Sequence, residues 1–120
     1  MSAIFVFGSN RRGRHGKGAA LEARRRWGAV YGQGEGRQGL SYAIPTKGTR
    51  METLTLTEIN QAVFRFILYA EDHPELSFEV TAIGCGLAGY RPYQIAPMFR
   101  LAPANVRLPA EFIEVLEARP

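Results

Sequence analysis

Several things are scarce in this 120-residue chain, and each scarcity excludes something. There is one cysteine, Cys85, so no disulfide can form within the chain and nothing points to an oxidising compartment. One cysteine and two histidines, His15 and His73, lack the spacing of a metal site, so no metal and no resident cofactor is expected. No apolar run approaches the length needed to span a bilayer. The opening Met-Ser-Ala runs directly into Ile4-Phe5-Val6-Phe7, with no basic residue before it and too short an apolar stretch for a secretory signal. These absences make a cytoplasmic protein with no membrane partner the expectation. Acid is also scarce near the N-terminus, where Glu22 alone opposes Arg11, Arg12, Arg14, Lys17, Arg24, Arg25 and Arg26.

The apolar fraction, 46%, suits a globular core, and the length suits one domain spanning residues 1–120. Fifteen Lys and Arg against eleven Asp and Glu give a net charge of +4. The basic segment 11–26 suits phosphates, on a small ligand or on a nucleic acid. Most of the 13 glycines lie between Gly8 and Gly48, which marks loops approached closely by something rather than a uniformly flexible chain.

The pattern of elements is β-α with repetition. Residues 3–7 read as a strand buried on both faces, and residues 17–27 as a helix with Ala19, Ala20, Ala23 and Trp27 on its apolar stripe. Residues 31–39 read as an irregular loop or tight hairpin, and Leu40–Ile44 as a strand ending at Pro45. Residues 57–72 repeat Ile59, Ala62, Val63, Phe66, Ile67 and Ala70 at helical spacing. Thr55 and Glu58 suggest a capping box ahead of that helix, and His73-Pro74 a stop behind it. Phe78–Ile83 reads as a second buried strand, Pro92–Leu101 as helical, 106–108 as a short closing strand and 110–118 as a terminal helix. The expected fold is a single compact three-layer α/β domain. Its sheet is mixed and mostly parallel, with helices on both faces. Ligands of such sheets sit beyond the carboxyl ends of the strands.

Three constellations carry candidate chemistry. The first is Gly8-Ser9-Asn10 with Gly13, His15, Gly16, Lys17, Gly18 and Ala19. Its glycines and helix start offer backbone N–H groups and partial positive charge to an anion, and the Asn10 amide suits a ribose or base edge. The spacing matches neither the Walker A pattern nor the Rossmann fingerprint, and the alternative is a glycine-rich turn with no ligand. His15 is a candidate ligand contact or acid–base group. The second is Gly84-Cys85-Gly86-Leu87-Ala88-Gly89-Tyr90, a strand exit able to wrap a diphosphate, with the Tyr90 ring able to cover a ribose or base. Cys85 reads as a small buried residue with no base beside it. The third is Thr46-Lys47, just past a strand end. Lys47 there can meet a phosphate or, if desolvated, attack an aldehyde-like sugar carbon; the alternative is an ordinary exposed lysine.

In this order the residues resemble the macrodomain superfamily over residues 3 to about 101. The nearest branch holds the terminal ADP-ribose glycohydrolases and the antitoxins that remove ADP-ribose from DNA. The chain also resembles short uncharacterised proteins of bacterial and phage genomes. The macrodomain resemblance implies that Asn10 lies near a distal ribose and that Gly16 to Ala19, with Ala20, and Gly84 to Gly89 grip a diphosphate. It places Tyr90 beside a ribose. It implies that Lys47 is the nucleophile of any ADP-ribosyl cleavage; an enzyme of that kind here would draw help from His15 or Glu35. The partners implied are ADP-ribose or a similar nucleotide, free or attached to protein or nucleic acid. Two positions depart from the pattern. Ala88 stands where that branch can carry an acid–base Asp, and no acid precedes Glu22 where an adenine-reading acid usually sits. The competing function is nucleic-acid binding through segment 11–26 without catalysis, although Trp27 and Tyr31 are the only rings near it.

Overall fold

Side chains alternate along the two longest strands and so divide onto two covered faces. In β1 (Ile4–Asn10), Ile4 and Val6 point to one face and Phe7 to the other. In β3 (Ser41–Lys47), Tyr42 and Ile44 share the first face and Ala43 the second. The computed structural model describes residues 3–118 and adds β2 (Gly36–Gln38), β4 (Phe78–Val80) and β5 (Val106–Arg107). The strands form one sheet in the order β2-β3-β1-β4-β5. All neighbours are parallel except β2 and β3, which pair antiparallel.

Helix α1 (Gly18–Arg26) packs Ala20 and Ala23 on Phe7 and Ala43, forming the small layer. Helices α2 (Leu56–Asp72), α3 (Pro92–Ile95) and α4 (Ala110–Glu117), with a 3₁₀ turn over Ala96–Phe99, cover the opposite face. The large core centres on Phe66, whose ring meets those of Tyr42, Phe78 and Phe99 at 5.0 to 6.3 Å. Full burial of one such ring contributes about 1.5–3 kcal/mol. The result is the expected three-layer α/β domain with helices on both faces. No helix among the described residues is long and apolar enough to cross a membrane.

Helix α2 begins as its sequence indicates. The Thr55 hydroxyl accepts from the Glu58 N–H at 3.2 Å, and the Thr55 N–H donates to the Glu58 carboxylate at 3.0 Å. It ends at His73, whose ring stacks on Tyr69 and bonds the Tyr69 carbonyl at 2.8 Å. Asn105 then ties this end to the sheet, its amide N–H₂ facing the carbonyls of Ala70, His73 and Leu76 at 3.0–3.1 Å.

Four boundaries differ from the sequence reading, each for a physical reason. Strand β1 runs on to Asn10, because β3 continues beside it. Strand β3 does not stop at Pro45. Pro45 lies beyond Ala43, the last residue paired with β2, so its missing N–H breaks no bond to that strand. Strand β4 stops at Val80, because the Thr81 hydroxyl and N–H both turn onto the Val6 carbonyl at 2.8 and 3.0 Å. The segment from Pro92 breaks into a short α turn and a 3₁₀ turn where Pro97 has no N–H to continue the helix.

Candidate functional site

A cavity of about 1010 Å³ opens at the carboxyl edge of the parallel strands. Strand β1 supplies Gly8, Ser9 and Asn10 to its wall, and β3 supplies Thr46 and Lys47. Between Ser9 and Asn10 the β1–β3 pairing jumps from Pro45 to Lys47, skipping Thr46. This bulge turns the two strand ends next to the cavity. The Thr46 hydroxyl donates to the Ser9 carbonyl at 3.3 Å across the irregularity. Ser9 is buried, and its hydroxyl donates to the Gly34 carbonyl.

Asn10 is mostly committed to the protein itself. Its amide N–H₂ donates to the Arg14 carbonyl and its amide oxygen accepts from the Arg14 N–H, both at 2.9 Å. One N–H and one lone pair remain for a ligand. The same pair of bonds fixes the loop that brings Arg14, Gly16, Lys17 and Gly18 to the cavity. The first bond of α1 runs from the Leu21 N–H to the Lys17 carbonyl, so the N–H groups of Gly18, Ala19 and Ala20 precede it. Ala19 and Ala20 line the cavity as well.

The facing wall is the loop after β4. Its inner turns are closed by bonds from the Cys85 N–H to Ala82, from Gly89 to Gly86 and from Tyr90 to Gly84, at 2.8–3.1 Å. The N–H groups of Gly86, Leu87 and Ala88 make no hydrogen bond within the described residues, and all three residues line the cavity. A run of unpaired backbone donors of this kind is an anion-binding concavity.

The glycines divide into two sets. A Cβ on Gly13 would lie 2.3 Å from the Gln33 nitrogen, and Gly13 has φ of 71°, so this glycine serves the packing of its loop on residues 32–33. Gly34 is similar, with the Asn10 carbonyl oxygen 2.4 Å from a notional Cβ. Gly16 and Gly86 are different. Nothing lies within 4 Å of a Cβ at either position, and neither has the left-handed backbone that favours glycine. Neither packing nor conformation within the chain requires a glycine there, yet both line the cavity.

The charge is strongly one-sided. Arg14, Lys17, Lys47 and Arg91 line the cavity, and none forms an ion pair among the described residues. Glu111, from the first turn of α4, is the single lining carboxylate. Among the described residues no group of three or more His, Cys, Asp or Glu could hold a metal.

Three expected site residues do not reach the cavity. His15 is completely enclosed, its Nε2 facing the Gln33 carbonyl at 3.0 Å and the Gln38 side-chain oxygen at 3.3 Å. Both partners are acceptors, so Nε2 carries the proton. The ring meets Phe7 edge-on, and His15 braces the basic loop against β2. Gly13 is held in packing, as above, and Gly89 does not line the cavity. Glu35, considered as an acid–base partner for Lys47, is gripped by Arg65 through two bonds of 2.6 and 3.0 Å. Tyr90 lines the cavity, but its hydroxyl is tied to the Leu54 carbonyl at 2.6 Å, leaving only the ring to a ligand. Cys85 is half-buried in the cavity wall, and its thiol pKa is raised by burial first and by the Glu111 charge second, which keeps it neutral and unreactive near pH 7.

Sequence reasoning missed several lining residues. Thr81, Ala82 and Ile83 read as strand in the sequence, but β4 ends at Val80 and they line the cavity. Met51 sits at the rim with φ of 63°, the one non-glycine in that region among the described residues. Pro92, Arg91 and Glu111 come from elements far along the chain, and no local signal marks them.

No family model matches the chain, and none of the curated proteins matches it. Two solved structures share its fold. One is a protein of unknown function from Bacteroides thetaiotaomicron, with a TM-score of 0.61 and 16% identity over 90% of this chain and 88% of that one. The other is DarTG from Thermosipho africanus in complex with ADP-ribose, with a TM-score of 0.62 and 16% identity over 91% of this chain. The match spans 39% of the DarTG chain. At this identity the likeness is one of fold alone.

Proposed function

We propose that the chain binds ADP-ribose, or a closely related nucleotide diphosphate sugar, in the cavity at the strand ends. The observation that carries the reading is the pair Gly16 and Gly86. These glycines are required by nothing inside the chain, and each stands on one wall beside backbone N–H groups without partners. Glycine at such a place lets a ligand approach the backbone itself. The N–H groups at the start of α1 and those of Gly86 to Ala88 suit the two phosphates of one diphosphate. Four unpaired cations around them add long-range attraction and faster capture. The macrodomain-like fold, shared with a protein solved with ADP-ribose, supports the same assignment.

In this reading the distal ribose lies by Asn10 and Lys47, whose positions are paired across β1 and β3. Lys47 is an amine at a strand end, the position a nucleophile would need for cleaving an ADP-ribosyl bond. Ala88 offers no proton transfer, and Glu111 belongs to a different element. Binding is therefore the primary reading, and hydrolysis through Lys47 the second.

A thermal-shift screen of nucleotides tests the proposal. ADP-ribose at a hundredfold its Kd should stabilise the protein by about 2.7 kcal/mol, while AMP and ribose 5-phosphate, which each lack half of the ligand, should give smaller shifts. Equal shifts with all three would remove the diphosphate from the account.

A further inference from the structure

One residue at the cavity rim has the wrong side chain for its backbone. Lys47, at the end of β3, bridges back to Thr53, and the chain between them turns through a tight hairpin. The Gly48 N–H donates to the Glu52 carbonyl at 2.8 Å and the Met51 N–H to the Gly48 carbonyl at 3.0 Å, which leaves Thr49, Arg50 and Met51 as the loop. The last residue of such a loop takes a left-handed backbone and is ordinarily glycine. Here it is Met51, with φ of 63°. Every other left-handed position among the described residues is a glycine.

Packing inside the chain does not account for this side chain. Met51 is 42% exposed and belongs to neither core. It lines the cavity beside Thr46 and Lys47. A disfavoured backbone kept where the side chain lines a cavity points to work for that side chain in the cavity. The hairpin is also well anchored. The Arg50 N–H donates to the Glu52 carboxylate at 2.9 Å, and the Leu54 N–H to the Thr46 carbonyl at 2.9 Å. The Thr53 hydroxyl donates to the Ala88 carbonyl at 3.4 Å, which ties the hairpin to the wall that carries the Gly86–Ala88 donors.

We propose that Met51 is a specificity-determining residue, its side chain covering the C–H face of the sugar that lies beside Lys47. The hydroxyls of that sugar can engage Asn10 and Lys47, whereas its C–H face needs an apolar neighbour. A flexible, polarizable thioether chain adapts to such an irregular face. Covering it removes apolar surface of both partners from water. The site thereby favours nucleotide diphosphates that carry a terminal sugar over those that end at the diphosphate. This inference rests on the ADP-ribose reading above, which puts the distal ribose by Lys47.

The test is calorimetry with ADP-ribose, and with ADP by displacement of bound ADP-ribose, on wild type, Met51→Gly and Met51→Leu. Glycine adopts the left-handed backbone freely, so Met51→Gly should fold and melt close to wild type or above it. It should lose about fivefold or more in affinity for ADP-ribose and less than about twofold for ADP. Met51→Leu keeps an apolar cover and should retain most of the wild-type preference for ADP-ribose. A loss of ADP-ribose affinity under about fivefold in Met51→Gly, or an equal loss for ADP, overturns the role of Met51. So does a Met51→Leu as weak as Met51→Gly. Melting of Met51→Gly about 5 °C or more below wild type would make Met51 a residue of the fold and overturn the proposal too. If folded wild type binds neither compound, the nucleotide reading fails and this proposal falls with it. If ADP-ribose binds and only the Met51 comparison fails, the nucleotide reading survives alone.

Discussion

Single residues decide whether the cavity is a binding site. Gly86→Glu places a carboxylate in open space beside the unpaired N–H groups of the loop after β4. Its backbone needs no glycine, so the variant should fold with unchanged circular dichroism. Affinity for ADP-ribose should fall by about a hundredfold or more, equivalent to roughly 2.7 kcal/mol; unchanged affinity would mean that the loop is not the phosphate site. Lys47→Ala addresses chemistry. If wild type releases ADP-ribose from a modified protein or DNA, this variant should lose that turnover while still binding ADP-ribose, and full retention of turnover would exclude the lysine mechanism. Tyr42 supplies a pH prediction unrelated to the ligand. Burial, and secondarily the Glu35 charge, push its pKa up to about 12 from 10.0. A raised folded-state pKa means that the folded protein holds this proton more tightly than the unfolded chain. The associated stability is complete below pH 10 and is lost as pH rises toward 12. Urea midpoints should therefore drop between those pH values, and Tyr42→Phe should drop less; identical slopes would show that Tyr42 ionises freely in the fold.

At the scale of elements, α1 separates two groups of basic residues that run together in sequence. Its first turn lines the cavity, whereas Arg24, Arg25 and Arg26 are exposed in its last turn. Arg24 lies over the Tyr31 ring at 5.5 Å, and Arg26 pairs with Glu22 at 3.9 Å. Six residues of helix separate Gly18 from Arg24, about 9 Å at 1.5 Å per residue, which is close to one Debye length at 0.1 M salt. Arg24→Glu with Arg25→Glu should change ADP-ribose affinity by less than about threefold, while weakening any binding to polynucleotide. A tenfold loss of ADP-ribose binding, with the helix content intact, would place these arginines in the site. Legibility in the sequence also varied by element. Helix α2 could be read because its apolar period and Thr55–Glu58 cap are local signals that tertiary structure left in place. The end of strand β4 is not legible, because an apolar run cannot reveal that Thr81 turns onto the Val6 carbonyl. The burial of His15 is hidden from the sequence for a related reason. A histidine between glycines looks available, and only the distant Gln33 and Gln38 show that it is a brace.

For the whole molecule, the sheet order gathers the site from parts that sequence distance keeps apart. The glycine loops after β1 and β4 could be placed on one edge from strand–loop–helix alternation alone, because parallel neighbours share a carboxyl edge. Glu111, Arg91 and Met51 could not, since their arrival depends on how α3, α4 and the turn after β3 pack. The central claim is that this assembled cavity takes one nucleotide diphosphate sugar. Isothermal titration of ADP-ribose into the wild-type protein tests it most directly. The account predicts saturable binding at one site per chain, tight enough to measure at micromolar protein and weakened by added salt because four cations line the cavity. A folded protein that gives no binding heat with ADP-ribose at several temperatures, and no thermal stabilisation at millimolar ligand, would contradict it.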